Sequence, residues 1–124
     1  MNLIDSSGWL EYFSGSTRGE IYSDVIQDID NLLVPAICIY EVFKRILVQG
    51  SEENALEAVG WMSLGIVVDL DQELAILAAH YSVESKIPMA DSMILATARK
   101  FDAIIWTQDE HFSGLPGVKY YSKA

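Results

Sequence analysis

The chain has one cysteine, Cys38, among 124 residues. A lone cysteine excludes an internal disulfide and any zinc site built on cysteines. Basic residues are also scarce, 8 Lys and Arg against 18 Asp and Glu, for a formal charge of −10. A surface of that sign repels nucleic acid unless a local patch or bound cations reverse it, which counts against a nucleic-acid partner. No apolar run approaches the ~20 residues of a membrane span, so no membrane association is expected. The segment "MNLIDSSG" has no basic region and leads into a short apolar strand, unlike a signal peptide. Repeats, linkers and low-complexity tracts are missing too. What remains is 51% hydrophobic and 21% charged. That composition predicts a cytoplasmic globular protein, and its length suits a single domain, 1–124.

Short apolar runs alternate with longer helical patterns. Strands are predicted at "NLID" (2–5), "LLV" (32–34), "IVVD" (66–69), "AIIW" (103–106) and "VKYY" (118–121). Helices are predicted over 7–13, 18–30, 36–49, 52–63, 72–85 and 89–100. Pro35 and Pro88 stand where two of these begin, and Gly50 and Gly65 where two end. Alternation of this kind, with nearly unbroken apolar strands, predicts an α/β fold with a buried, mostly parallel sheet. In such a sheet, ligands sit outside the carboxyl ends of the strands.

Acids collect at that edge. Asp5 ends the first strand in "NLIDSSGW", and Asp109 follows the fourth in "IIWTQDEHF". Within "PMADSMILATA" (88–98), Asp91, Ile94, Leu95 and Ala98 follow the i, i+3, i+4, i+7 spacing of one helical face. A carboxylate therefore heads an otherwise apolar stripe. Either Asp91 serves the helix dipole in the first turn after Pro88, or it is buried because it holds a partner such as a cation. Glu41 is the one charge in "PAICIYEVF" (35–43). Pairing with Lys44 or Arg45 across one turn is worth only ~0.2–0.5 kcal/mol, a weak reason to keep a charge in an embedded helix.

Taken together, "LIDSS", "YEVF", "PMADSMILATA" and "WTQDEHF" resemble the four signature segments of the PIN domain, in order and over nearly the whole chain. The likeness is strongest to the small VapC-like toxins of type II toxin–antitoxin systems. Its most specific piece is Ala90-Asp91 followed by Ile94 and Ala96-Thr97-Ala98, then the turn Thr107-x-Asp109-x-x-Phe112. The resemblance implies that Asp5, Glu41, Asp91 and Asp109 are the acidic catalytic and metal-binding set. Ser6 and Thr107 would be polar helpers that orient a carboxylate or a water. It further implies a three-layer α/β/α sandwich around a mostly parallel five-stranded sheet. The implied function is metal-dependent cleavage of RNA by a homodimer that a small cognate antitoxin inhibits. The chain departs from the family pattern at the start of the helix bearing Glu41, where Ala36, Ile37 and Cys38 replace a capping Ser or Thr.

The residue chemistry points the same way. Carboxylates that converge repel one another, and some protonate if left without a cation. Mg²⁺ or Mn²⁺ supplies hard positive charge to oxygen ligands; one ion can activate water and a second can steady the leaving oxygen of a phosphodiester. No His–Asp–Ser or Cys–His grouping competes. His80, in an amphipathic helix, and His111, beside Asp109, read as solvated or otherwise satisfied rather than as ligands. Arg18, Lys44 and Arg45 are the bases placed to reach an RNA backbone, although solvated surface charge explains them equally well. Trp9, Tyr12 and Phe13 read as core or dimer contacts. With Ile39, Tyr40, Phe43 and Leu47 they make the N-terminal third more apolar than a chain this small can bury, so a homodimer is expected, with an antitoxin segment nearby.

Two other classes compete. A phosphoacceptor receiver domain would use Asp69 in "IVVDLD", but it also wants a Lys after the last strand and paired acids after the first. Asp69 and Asp71 more simply cap the helix starting near Gln72. The same PIN-like fold with a spent active site would be a pure binding module, a reading that four retained carboxylates disfavour.

Overall fold

The structure, a computed structural model, describes residues 1–123. Its strands are β1 (Asn2–Ile4), β2 (Leu32–Pro35), β3 (Ile66–Val68), β4 (Ile104–Thr107) and β5 (Val118–Tyr120). They form one five-stranded sheet in the order β3-β2-β1-β4-β5, and all four neighbouring pairs are parallel. Every residue of β2 is buried, as a strand covered on both faces must be.

The chain enters α1 (Ser6–Phe13) after β1 and reaches β2 through α2 (Ser23–Gln27). From β2 it continues in the same direction through α3 (Ala36–Gln49) and α4 (Glu52–Met62) to β3 at the edge. It then returns across the sheet through α5 (Gln72–Ser85) and α6 (Met89–Lys100) to β4. Right-handed crossovers put the first four helices on one face and the last two on the other, which makes the three layers. α3 packs on α4 and α1, and α5 packs on α6. The core runs through Leu3, Ile4, Leu33, Val34 and Ile105 of the sheet, with Trp9, Val42 and Met62 among the helical residues packed with them. A smaller cluster of Leu74, Ala78 and Ala96 joins α5 to α6. The predicted α/β/α architecture is the observed one. Among the described residues, no helix is long and apolar enough to cross a membrane.

One predicted helix is broken. Instead of a helix over 18–30, the chain forms a 3-10 helix at Thr17–Tyr22, then α2, then a 3-10 turn at Ile29–Asn31. The cause is a close approach at Gly19. A Cβ there would lie 2.7 Å from the Glu11 carbonyl oxygen and 2.8 Å from the Tyr12 Cα. The backbone of this segment thus rests directly on α1, and the Ser16 hydroxyl takes up the Gly19 N–H at 3.2 Å. Tyr22, Val25 and Ile26 are still buried; the apolar periodicity was a packing signal carried by short turns. Elsewhere, element ends differ from expectation by at most one residue.

Candidate functional site

β1 and β4 are neighbours, yet the chain leaves β1 toward β2 on one side and reaches β4 only after crossing over. Beyond the carboxyl ends of two such strands a crevice opens. Asp5 follows β1, its N–H donating to the Trp106 carbonyl at 3.2 Å, and Thr107 ends β4. The pairing brings the two side chains together. Asp5 caps α1, and its Oδ1 accepts the Gly8 N–H at 3.1 Å and the Ser7 hydroxyl at 2.7 Å. Its Oδ2 accepts the Thr107 hydroxyl at 2.7 Å. Gly8 is required for this seat, because a Cβ there would lie 2.7 Å from the Ile4 Cγ2. The loop after β4 is tied to the same knot: Thr107 Oγ1 accepts the Asp109 N–H at 2.8 Å, and Ser7 Oγ accepts the Gln108 N–H at 3.0 Å.

Two helices bring the other acids. α6 starts after Pro88 without a side-chain cap and carries Asp91 in its first turn. Asp91 is only 8% exposed and Ile94, Leu95 and Ala98 are buried with it, so the carboxylate does head a core-facing stripe. Glu41 lies in α3, half-buried, and its Oε1 accepts the Ser6 hydroxyl at 2.6 Å. Asp109 caps a 3-10 turn at Glu110–Phe112, its Oδ1 accepting the His111 N–H at 2.9 Å, while Phe112 anchors the turn in the core. Asp5, Glu41, Asp91 and Asp109 all line one cleft of about 290 Å³, together with Ser6, Ser7, Arg45 and Lys123.

The electrostatics of the cleft are those of crowded acids. Burial pushes the Asp5 carboxyl up to about 6, in spite of the hydrogen bonds from Ser7, Thr107 and Gly8, and the charge of Asp109 adds to the rise. Burial likewise pushes Asp91 up to about 7, helped by the charge of Asp109 and a hydrogen bond with it, and opposed by His111. A cation placed among such carboxyls would offset the cost of burying their charge. Asp91, Asp109 and His111 each offer one donor atom, and the three atoms lie within 4.8 Å of one another. A donor set of carboxylate oxygens around a cleft this acidic fits a divalent cation.

Of the bases expected near an RNA backbone, Arg45 lines the cleft. Arg18 is exposed and does not line it, and the Lys44 Nζ sits 5.6 Å from the centre of the Tyr40 ring. Two cleft residues, Ser7 and Lys123, escaped the sequence pattern, as did His111 beside the cleft. His111, expected to be solvated or satisfied, puts its Nδ1 3.0 Å from both Asp91 Oδ2 and Asp109 Oδ1. Trp9 is fully buried and stacked on Phe13 at 5.5 Å, a core residue. Asp71 caps α5, its Oδ1 accepting the Leu74 N–H at 2.9 Å. Asp69 is exposed after the edge strand β3, two strands from Asp5, which removes the basis for a receiver-like pocket.

Comparison with known proteins agrees with this geometry. The PIN domain matches the sequence over residues 3–118. A search of curated proteins finds no match. Among solved structures, the chain is similar to a toxin–antitoxin complex from Klebsiella pneumoniae, with a TM-score of 0.83 at 22% identity, covering 98% of this chain and 99% of that one. DNA-bound VapBC from Salmonella typhimurium gives 0.75 at 18% identity, over 98% of each chain. A VapC toxin of Mycobacterium tuberculosis that cleaves the sarcin–ricin loop gives 0.71 at 15%, over 92% of this chain and 95% of that one. At these identities the likeness is one of fold.

Proposed function

The chain belongs to the PIN-domain family, and from that premise we propose that it is a divalent-metal-dependent endoribonuclease serving as the toxin of a toxin–antitoxin pair. The observation that carries the proposal is the convergence of Asp5, Glu41, Asp91 and Asp109 in one cleft beyond β1 and β4. Asp91 and Asp109, whose donor atoms are close together, would hold Mg²⁺ or Mn²⁺, with Asp5 and Glu41 completing the negative field. When bound, such an ion supplies Lewis-acid charge to a phosphodiester and acidifies water. The protein's own part is positioning. Ser7 and Thr107 fix both oxygens of Asp5, and Ser6 fixes Glu41. A carboxylate held this way keeps its direction when charge develops in the transition state.

Substrate class follows from charge and shape. The net charge of −10 repels a polyanion at long range, so local cations must offset it. Arg45 and Lys123 at the cleft suit the phosphates that flank a scissile bond. RNA rather than DNA is favoured by the fold's likeness to a sarcin–ricin loop cleaving toxin. Likeness to toxin–antitoxin complexes favours an antitoxin partner. A groove of about 390 Å³ between α1, α3 and α4, lined by Leu10, Phe13, Ile46 and the exposed Trp61, offers an apolar seat for it. Tyr40, Leu47 and Val48 are exposed along α3, an apolar surface that suits a second copy.

The test is cleavage of RNA by the purified chain with Mg²⁺, Mn²⁺ or EDTA. Cleavage that requires an ion and stops with EDTA is expected. Cleavage undiminished by EDTA refutes the mechanism, and metal binding without cleavage under any ion converts the reading to a binding module.

A further inference from the structure

His111 stands beside the cleft, against Asp91 and Asp109, yet none of the roles above uses it. Its placement is fixed rather than casual. The backbone N–H is held by Asp109 Oδ1 at 2.9 Å, and the next residue, Phe112, is fully buried. Between those two anchors the ring turns inward, so that Nδ1 lies 3.0 Å from Asp91 Oδ2 and 3.0 Å from Asp109 Oδ1. The side chain is still 52% exposed, so the ring adjoins both the acids and solvent. The result is a group of two oxygens and one nitrogen within 4.8 Å of one another.

A nitrogen donor changes which cation such a group prefers. Mg²⁺ binds oxygen ligands and keeps its waters. Imidazole suits transition-metal ions, and for sites with nitrogen donors affinity rises along the first-row series. We propose that His111 is a ligand of the same divalent cation as Asp91 and Asp109, and that it makes the site select Mn²⁺ or a later first-row ion over Mg²⁺. The proposal rests on the reading of the cleft as a metal site and deepens it. It predicts a mixed nitrogen–oxygen centre in place of an all-oxygen one.

The experiment uses the whole chain loaded with Mn²⁺ and needs no catalysis. Pulsed electron paramagnetic resonance on protein carrying ¹⁵N-labelled histidine should detect a histidine nitrogen coupled to the ion. The chain has two histidines, and His80 lies exposed on α5. The coupling should therefore survive in His80→Gln and vanish in His111→Gln. Calorimetric titration with Mn²⁺ and with Mg²⁺ gives the second readout: in His111→Gln the preference for Mn²⁺ should fall by about tenfold, with Mg²⁺ affinity little changed. Mn²⁺ bound to the wild type without nitrogen coupling overturns the proposal, whatever the variants do. If neither ion binds the wild type, the metal-site reading falls and takes this proposal with it. If Mn²⁺ binds with histidine coupling but RNA stays intact, this proposal holds while the ribonuclease assignment fails.

Discussion

Asp5 and Asp71 perform the same local task. Each follows a parallel strand, each caps the helix that comes next, and in each Oδ1 accepts the N–H three residues on. The difference is where the strands lie. Asp5 follows β1 at the centre of the sheet, is 2% exposed, and has its second oxygen held by Thr107 from the neighbouring β4. Asp71 comes soon after the edge strand β3 and is exposed. A cap alone therefore says nothing about chemistry. A capping carboxylate becomes a site when the sheet topology sets another strand's carboxyl end beside it and two helices add further acids.

The comparison is broken most sharply by a substitution that keeps the cap and deletes the charge. Asn caps a helix about as well as Asp, so Asp5→Asn and Asp71→Asn should both fold, with the larger loss at Asp5, where the amide nitrogen no longer accepts the Thr107 hydroxyl. On the proposed mechanism, Asp5→Asn and Asp91→Asn lower RNA cleavage by at least about a hundredfold, a loss of roughly 2.7 kcal/mol in transition-state stabilisation. Asp71→Asn should cleave at the wild-type rate. Equal activities in the Asp5 and Asp71 variants would erase the distinction between the two caps.

Stability offers the next contrast, without any substrate. The Asp5 and Asp91 carboxyls sit at about 6 and about 7, above the ordinary value of 3.8. Between pH 4 and 7 the native state thus binds more protons than the unfolded chain. By linkage, this contribution to stability is fully present below the unfolded value and is lost as pH rises through the folded one. Thermal unfolding in EDTA should show stability falling from pH 5 to pH 8, by roughly 1–3 kcal/mol from each group. Asp91→Asn should flatten that slope and be no less stable than wild type at pH 8. An added divalent ion should stabilise the wild type at pH 8 by about 2.7 kcal/mol when present at 100 times its Kd. Asp91→Asn should gain less. A variant less stable than wild type in EDTA, equally stabilised by the ion and still active would return Asp91 to a mere helix-dipole role.

Ser7 tests how far the central cap depends on its neighbours. Ser7→Ala removes a donor to Asp5 and an acceptor for the Gln108 N–H. Leaving that amide unpaired costs about 1–3 kcal/mol, and cleavage should fall by about tenfold, since each tenfold in rate is ~1.4 kcal/mol. Ser6→Ala, which removes the donor to the half-buried Glu41, should destabilise the fold less. Denaturant melts of the two variants check the order.

These contrasts also mark what the amino-acid pattern could carry. Asp91 was legible because a carboxylate interrupts a helical stripe whose other members are apolar, and burial of Ile94, Leu95 and Ala98 follows from that stripe. The strands and their parallel arrangement were legible for the same reason, as short apolar runs between helical periods. Ser6 and Ser7 were harder to tell apart, since neighbours in a first helical turn point about 100° apart. The structure sends Ser6 to Glu41 and Ser7 to Asp5. Arg45 and Lys44 both lie one turn from Glu41, so spacing alone could not favour Arg45; Lys44 also lies one turn from Tyr40, and that is where its Nζ sits. His111 and Lys123 gave no such signal. The place of Lys123 in the cleft and of His111 beside it depends on how the chain beyond β4 folds back, a tertiary fact with no period. Gly19 was read as one residue of a helix, because nothing local announces that another backbone lies within contact distance.

The smallest expected effect falls on the edge cap and completes the comparison. Asp71→Ala removes the side-chain acceptor for the Leu74 N–H, which sits in the first turn of α5. Loss of such a cap costs about 1 kcal/mol, while Asp71→Asn should cost almost nothing. α5 packs on α6, and α6 carries Asp91, so a weakened α5 gives the edge one route to the cleft. Because Asp91 is anchored by its own buried stripe of Ile94, Leu95 and Ala98, that route should carry no more than the small stability loss. Asp71→Ala is therefore expected to melt slightly earlier and to cleave RNA at the wild-type rate when assayed well below its melting temperature. A rate that fell with the loss of the cap, at full folding, would mean that the edge of the sheet and its centre are coupled, and that the two caps differ in degree rather than in kind.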